Sequence, residues 1–165
     1  MPLNNRPQVL KDGALADDPF ITIGADEPIA DGPVIISPDR FAEADQPGRR
    51  IGLSLSNTLD VHSIANLLPR VETVVLNFPK FTDGRAYSQA RVLRERLDYR
   101  GELRATGQVL PDQLAFMLRC GFDAFVLAKG DPIESWQRAK TTFSGSYQPA
   151  ADDRRPAFIR RRTQG

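Results

Sequence analysis

Residues 51–143 alternate between short strand-like and helix-like runs, and this alternation limits the fold more than any other feature. Ile51–Leu55 reads as a strand. Thr58 is placed to cap a helix carrying Val61, Ile64, Ala65 and Leu68 at helical spacing, and Pro69 ends it. Val71–Phe78 is the next strand, broken by Pro79. Asp83-Gly84 opens a second helix with an apolar stripe of Ala86, Ala90, Leu93 and Leu97. After Gly101 comes a strand over Glu102–Thr106. Pro111 suits the first position of a third helix, where its missing N–H needs no partner. Gly121 suits the left-handed residue that ends that helix, with Phe122 folding back on Met117. Ala124–Leu127 is a fourth strand. In Asp131-Pro132-Ile133-Glu134, Asp131 caps a fourth helix and Glu134 returns the bond, and Ile133, Trp136, Lys140 and Phe143 continue it. Four consecutive βα units predict an α/β fold with a mainly parallel sheet, because crossover helices return the chain to the same end of the sheet.

The parity of the strands refines this. Leu53 and Leu55 share one face of their strand, opposite Gly52, Ser54 and Ser56. Leu103 and Ala105 oppose Glu102, Arg104 and Thr106, and Val74, Leu76 and Phe78 oppose Thr73, Val75 and Asn77. A sheet covered by helices on both faces has strands that are apolar throughout. Here one face is apolar and the other small or polar, so helices are expected mainly on one face. The result is an open (β/α) barrel-like arc whose inner face is covered by the N-terminal segment, a partner or a second copy, the last of which predicts a homodimer.

The flanks read differently. Residues 1–30 form a small irregular or hairpin segment: Met1–Arg6 is polar, and Lys11-Asp12-Gly13 is a tight turn because Asp-Gly tolerates positive φ. Val34-Ile35-Ile36 is a short buried strand at the start of the α/β domain over 31–143, and Asp45–Arg50 a loop. Residues 144–165 read as a flexible tail, hinged at Ser144-Gly145-Ser146 and made basic by Arg154, Arg155, Arg160, Arg161 and Arg162.

Several function classes are excluded by counting. The 165 residues hold one cysteine, Cys120, and one histidine, His62. A Cys-x-x-Cys redox pair, a four-cysteine iron–sulfur cluster and a zinc site of the usual Cys/His composition are all out of reach of one chain. The net charge of +1 gives no global field for nucleic acid or an anionic membrane. No apolar run spans a bilayer, and residues 1–20 hold no signal-peptide core, so the expected location is the cytoplasm. No Gly-x-Gly-x-x-Gly follows a strand, and no P-loop, His-Glu-x-x-His or Gly-x-Ser-x-Gly is present.

Ligands of parallel α/β sheets collect where strands end and helices begin. The richest such segment is Phe78–Arg85. Gly84 at a helix start would expose backbone N–H groups to an anion, with Lys80 and Arg85 adding charge, unless Thr82 or Asp83 caps the helix itself. Glu102 and Arg104, on the polar face of a central strand, would bind a ligand or pair with one another or with Asp112. Asp112 and Gln113 lie in the first turn of the third helix. Arg85, Arg91, Arg94 and Arg96 would form either a docking surface or a solvated basic face. His62 is expected to be exposed and Cys120 packed.

The run Phe78-Pro79-Lys80-Phe81-Thr82-Asp83-Gly84-Arg85-Ala86-Tyr87-Ser88-Gln89-Ala90-Arg91 resembles the signature of a bacterial family of unknown function. Gly101–Gly107, Asp112-Gln113 and Arg119–Phe125 continue the likeness, which covers roughly residues 30–130. Members are labelled as oxidoreductases of sulfite reduction, and their genes stand beside that of the assimilatory sulfite reductase haemoprotein. The resemblance implies a role in sulfur assimilation. Three readings follow. The first is an accessory protein that binds the reductase or delivers electrons or substrate to it. Its working surface is Lys80, Asp83, Gly84, Arg85, Glu102 and Arg104, with Thr82, Ser88, Asp112 and Gln113 in the same blocks. The second is an enzyme acting on a small anion, held by Lys80 and Arg85, with Asp83 or Asp112 handling protons. The third is a flavin-dependent oxidoreductase.

Overall fold

The computed structural model describes residues 7–142, so Phe143 and the expected basic tail lie outside the described residues. Asp12 (φ 51°) and Gly13 (φ 81°) both sit at positive φ, as a two-residue hairpin turn matched to strand twist requires. They join β1 (Gln8–Lys11) to β2 (Ala14–Asp17), with Lys11 opposite Ala14. The remaining strands are β3 (Ile21–Thr22), β4 (Val34–Ile36), β5 (Ile51–Leu55), β6 (Thr73–Phe78), β7 (Glu102–Gly107) and β8 (Ala124–Phe125). All eight belong to one sheet, in the order β2-β1-β8-β7-β6-β5-β4-β3. From β3 to β8 every neighbour is parallel, while β1 joins β8 and β2 antiparallel. The N-terminal hairpin is thus an edge of the same sheet.

That order forces the sheet to curl. β2 and β3 lie at opposite edges, seven strand spacings apart, which is about 34 Å in a flat sheet. Only Asp18, Pro19 and Phe20 separate them in sequence, and four Cα steps reach at most about 15 Å. The two edges therefore approach one another, the sheet curls into a half-barrel, and residues 18–20 run as a strap from edge to edge across its concave side.

The described residues hold four α-helices: α1 (Phe41–Ala44), α2 (Arg85–Arg91), α3 (Leu114–Cys120) and α4 (Pro132–Thr142). Ala86, Ala90, Leu93, Leu114, Met117 and Ala139 from the helical segments share one buried cluster with Leu53, Leu55, Leu76, Phe78, Leu103, Ala105 and Phe125 from the strands. The other strand parity carries a small separate cluster, Ile35, Val75 and Phe20. Helices thus pack on one face, while the strap's Phe20 covers part of the other.

Three expectations need correction. The first βα unit has no α-helix: Val61–Ile64 and Leu68–Arg70 are 3-10 turns. Val61, Ile64 and Leu67 recur every three residues, a period that fits the tighter helix as well. The cap there is Asp60, whose Oδ1 accepts from the His62 backbone N–H (3.0 Å), while the Thr58 hydroxyl bonds to Ser56 Oγ. In α4, Asp131 caps as expected, accepting from Glu134 N–H at 2.9 Å, but Glu134 does not return the bond. Its carboxylate faces down the helix to Arg138 (2.7 Å), a charge pairing at i,i+4. The strand expected over Ala124–Leu127 is only two residues long. The end of α3 follows expectation: Gly121 (φ 106°) donates to Leu118 O and Phe122 N–H to Met117 O, both at 3.2 Å.

Candidate functional site

The sequence-derived residues fall at opposite ends of the half-barrel. Glu102 opens β7 and Gly107 ends it beside Phe78, so the two ends lie about 17 Å apart at strand rise. Glu102 and Arg104 belong to the concave face near the strap. The Lys80–Arg85 loop leaves the far end.

At the concave face, the Arg104 guanidinium is almost fully buried (3% exposed). Its Nη1 donates to Asp18 Oδ2 (2.6 Å), and its Nε (2.9 Å) and Nη2 (2.8 Å) approach Glu102 Oε1. Glu102 Oε1 also accepts from the Thr73 hydroxyl (3.0 Å), and Oε2 from Lys11 Nζ (3.1 Å). The register explains the convergence. Thr73 pairs with Glu102, Arg104 with Ala124, and Ala124 with Lys11, so these side chains form adjoining inward rows. The guanidiniums of Arg50 and Arg104 lie over the Phe20 ring, 5.1 and 5.8 Å from its centroid. Arg104 thus pairs with Glu102 and Asp18. Asp112, the partner considered from sequence, is exposed on the turn beyond β7. Lys11, Asp18 and Phe20 had no signal in sequence, since Asp18 lies 86 residues from Arg104.

Burial works against the charge on Glu102, but Arg104 and the hydrogen bonds from Lys11, Thr73 and Arg104 outweigh it and hold its carboxyl below the ordinary 4.5. A depressed carboxylate stabilises the fold above its unfolded value, and that contribution is lost as pH falls through the folded value. Unfolding midpoints measured from pH 6 downward should drop below about pH 4.5, and drop less steeply in Glu102→Gln.

At the far end, Asp83 is fully engaged. Its Oδ1 accepts from Arg85 N–H (3.1 Å) at the start of α2, and its Oδ2 from Asn57 Nδ2 (2.6 Å). The α2 N-terminus therefore carries its own carboxylate where the sequence suggested an anion. A Cβ on Gly84 would meet nothing within 4 Å, so no close approach requires that glycine. Gln113 accepts from Leu110 N–H (3.1 Å) and donates to the Phe81 carbonyl (2.8 Å), tying the loop to α3. Lys80, Thr82, Arg85, Ser88 and Asp112 are exposed. Among the described residues Lys80 has no ion-pair partner, and Arg85 reaches Asp83 only at 3.8 Å.

Two exposed aromatics complete this surface, Phe81 (55%) and Phe116 (47%). Phe116 packs edge-on against Tyr87 (4.8 Å between centroids), which packs on Phe78 (5.0 Å). Burial pushes the Tyr87 phenol up to about 12, keeping it neutral. Sequence reasoning assigned neither phenylalanine a role, because it weighed the Phe78–Arg85 segment by its charges and its glycine. The basic stripe of α2 divides instead. Arg94, on the π-helical turn Val92–Arg96, donates to the carbonyls of Tyr99, Gly101 and Gly121 and pairs with Asp123, so it is a structural clamp. Arg91 pairs with Glu95. Cys120 is buried and His62 exposed. Among the described residues, no group of three His, Cys, Asp or Glu is placed to hold a metal ion, and no helix is long and apolar enough to cross a membrane.

The fold and these two sites define an α/β half-barrel with a charged, strapped interior and an aromatic–basic outer loop. The chain belongs to a family described as bacterial protein of unknown function (DUF934), whose model matches residues 52–158. Arg104, Glu102 and the Lys80–Arg85 loop lie inside the match, and the strap precedes it. No curated protein matches the chain.

Proposed function

We propose that this protein is a cytoplasmic accessory protein of assimilatory sulfite reduction, docking on the sulfite reductase haemoprotein through the Lys80–Arg85 loop and the adjoining face of α3. The pathway rests on the resemblance carried by Phe78–Arg91, Gly101–Gly107 and Arg119–Phe125. The observation that carries docking is the exposure of Phe81, next to Lys80 in the chain, and of Phe116, which packs on Tyr87 of the helix that Arg85 opens. Exposed aromatics bordered by weakly paired cations have the composition of a binding hot spot, in which ring burial supplies affinity and charge supplies orientation. The matching patch on the partner is an apolar pocket rimmed by carboxylates. Direct proton handling by Asp83 is the less favoured reading, since both its oxygens already accept hydrogen bonds.

Phe81→Ala and the pair Lys80→Ala/Arg85→Ala are expected each to weaken binding to the reductase at least about tenfold, or 1.4 kcal/mol. Their unfolding midpoints should stay within about 0.5 kcal/mol of the parent, because these side chains are exposed. Titration by fluorescence anisotropy checks this, and unchanged affinity in all variants would remove the loop from the interface.

A further inference from the structure

The helix-covered face of the sheet runs out at its two edges. Leu15 on β2 stands opposite Leu10, and Ile21 on β3 opposite Val34. Leu10 and Val34 belong to the core beneath the helices. Cross-strand neighbours share a face, so Leu15 and Ile21 continue that core outward at either edge. Both are exposed, at 40% and 44%. β2 is also the last strand on its side of the sheet. In an antiparallel pair that starts at Lys11 and Ala14, alternate residues bond the partner, which leaves the N–H and C=O of Leu15 and Asp17 turned outward.

The chain around this seam carries one sign of charge. From Asp12 to Asp31 it holds six carboxylates and no lysine or arginine. Asp18 is the one with an ion-pair partner among the described residues, while Asp12, Asp17, Asp26, Glu27 and Asp31 are exposed.

Where α4 ends indicates what covers the seam. The helix passes the turn between β1 and β2, since a Cβ on Gly13 would come within 2.7 Å of Trp136 Nε1. Thr142 ends the helix about 9 Å beyond Trp136. Residues 143–165 continue from there, and fully extended they reach about 75 Å, several times the separation of the two edges. Their sequence is complementary to the seam. Phe158-Ile159 is flanked by Arg154-Arg155 and by Arg160-Arg161-Arg162, just as Leu15 and Ile21 are flanked by Asp12 and Asp17 and by Asp26, Glu27 and Asp31. The family match runs on to residue 158, taking in Arg154, Arg155 and Phe158.

We propose that residues 143–165 dock on their own chain across the seam between β2 and β3, with Phe158 and Ile159 against Leu15 and Ile21 and the flanking arginines against the exposed carboxylates of residues 12–31. Apolar burial holds the segment, and the opposite charges fix its placement. β6, which leads into the Lys80–Arg85 loop, lies in the middle of the sheet order, so the docking surface stays open.

The test is paramagnetic broadening of amide signals in the full chain. A nitroxide is attached through Ala157→Cys, Cys120 being buried. The amides of Leu15, Asp17, Ile21 and Thr22 are expected to lose at least half their intensity. The loss should disappear in Arg154→Gln/Arg155→Gln/Arg160→Gln/Arg161→Gln/Arg162→Gln, and in Asp17→Asn/Asp26→Asn/Asp31→Asn, which alters the seam from its other side. Mixing nitroxide-bearing chains with isotope-labelled chains lacking the nitroxide reports contact with a second copy. Broadening that survives both sets of substitutions, that centres on other strands, that is absent, or that arises only between chains would each overturn the proposal.

Discussion

Arg104→Met is expected to destabilise the protein by about 3–5 kcal/mol, the range for breaking a buried ion pair from one side. Methionine replaces the unbranched stem as far as Nε, so packing is lost only around the guanidinium itself. The larger part comes from what stays behind. Asp18, 5% exposed, loses its only ion-pair partner among the described residues, and Glu102 keeps only Lys11 and Thr73. Urea unfolding of the parent and variant measures the difference. Asp18→Asn/Arg104→Met should recover part of the loss, because it removes the stranded charge along with its partner. A loss under 1 kcal/mol would mean that the network behaves like a solvated surface pair.

Phe78→Ala is expected to cost about 3–5 kcal/mol by opening a cavity in the core. Phe78 is fully buried and touches both Tyr87 and Phe122, at centroid separations of 5.0 and 5.8 Å. Tyr87 in turn supports Phe116, so the same change should also weaken docking. The contrast with Phe81→Ala is informative. Phe81, three residues on in the same loop region, should affect affinity without affecting the unfolding midpoint. If Phe78→Ala lowered stability by less than 1 kcal/mol, the ring stack would not be the support of the exposed surface.

Much of the architecture could be read from local signals. Strand parity at Leu103/Ala105 against Glu102/Arg104 showed which face the helices take, because burial on one side leaves a period of two. Asp12-Gly13 and Gly121 marked their turns because positive φ is costly for most residues. The segment 58–68 misled because its apolar spacing fits a period of three as well as 3.6. The sites were legible only in part, for a different reason. The Lys80–Arg85 loop is one contiguous run, so its exposure and chemistry could be seen together. The Arg104 network is assembled from Lys11, Asp18, Thr73 and Glu102, and no local pattern announces that β1 lies beside β8 or that residues 18–20 cross the curled sheet. Arg94 was misplaced because a cation on a helix looks solvated until the carbonyls of Tyr99, Gly101 and Gly121 are brought to it.

The central claim is that the aromatic–basic loop is a docking surface for the sulfite reductase haemoprotein. Gel filtration of the two purified proteins, alone and mixed, tests it most directly. The expected result is a shared earlier peak, lost when Phe81→Ala or Lys80→Ala/Arg85→Ala replaces the parent. Separate, unshifted peaks with an unchanged rate of sulfite reduction would contradict it.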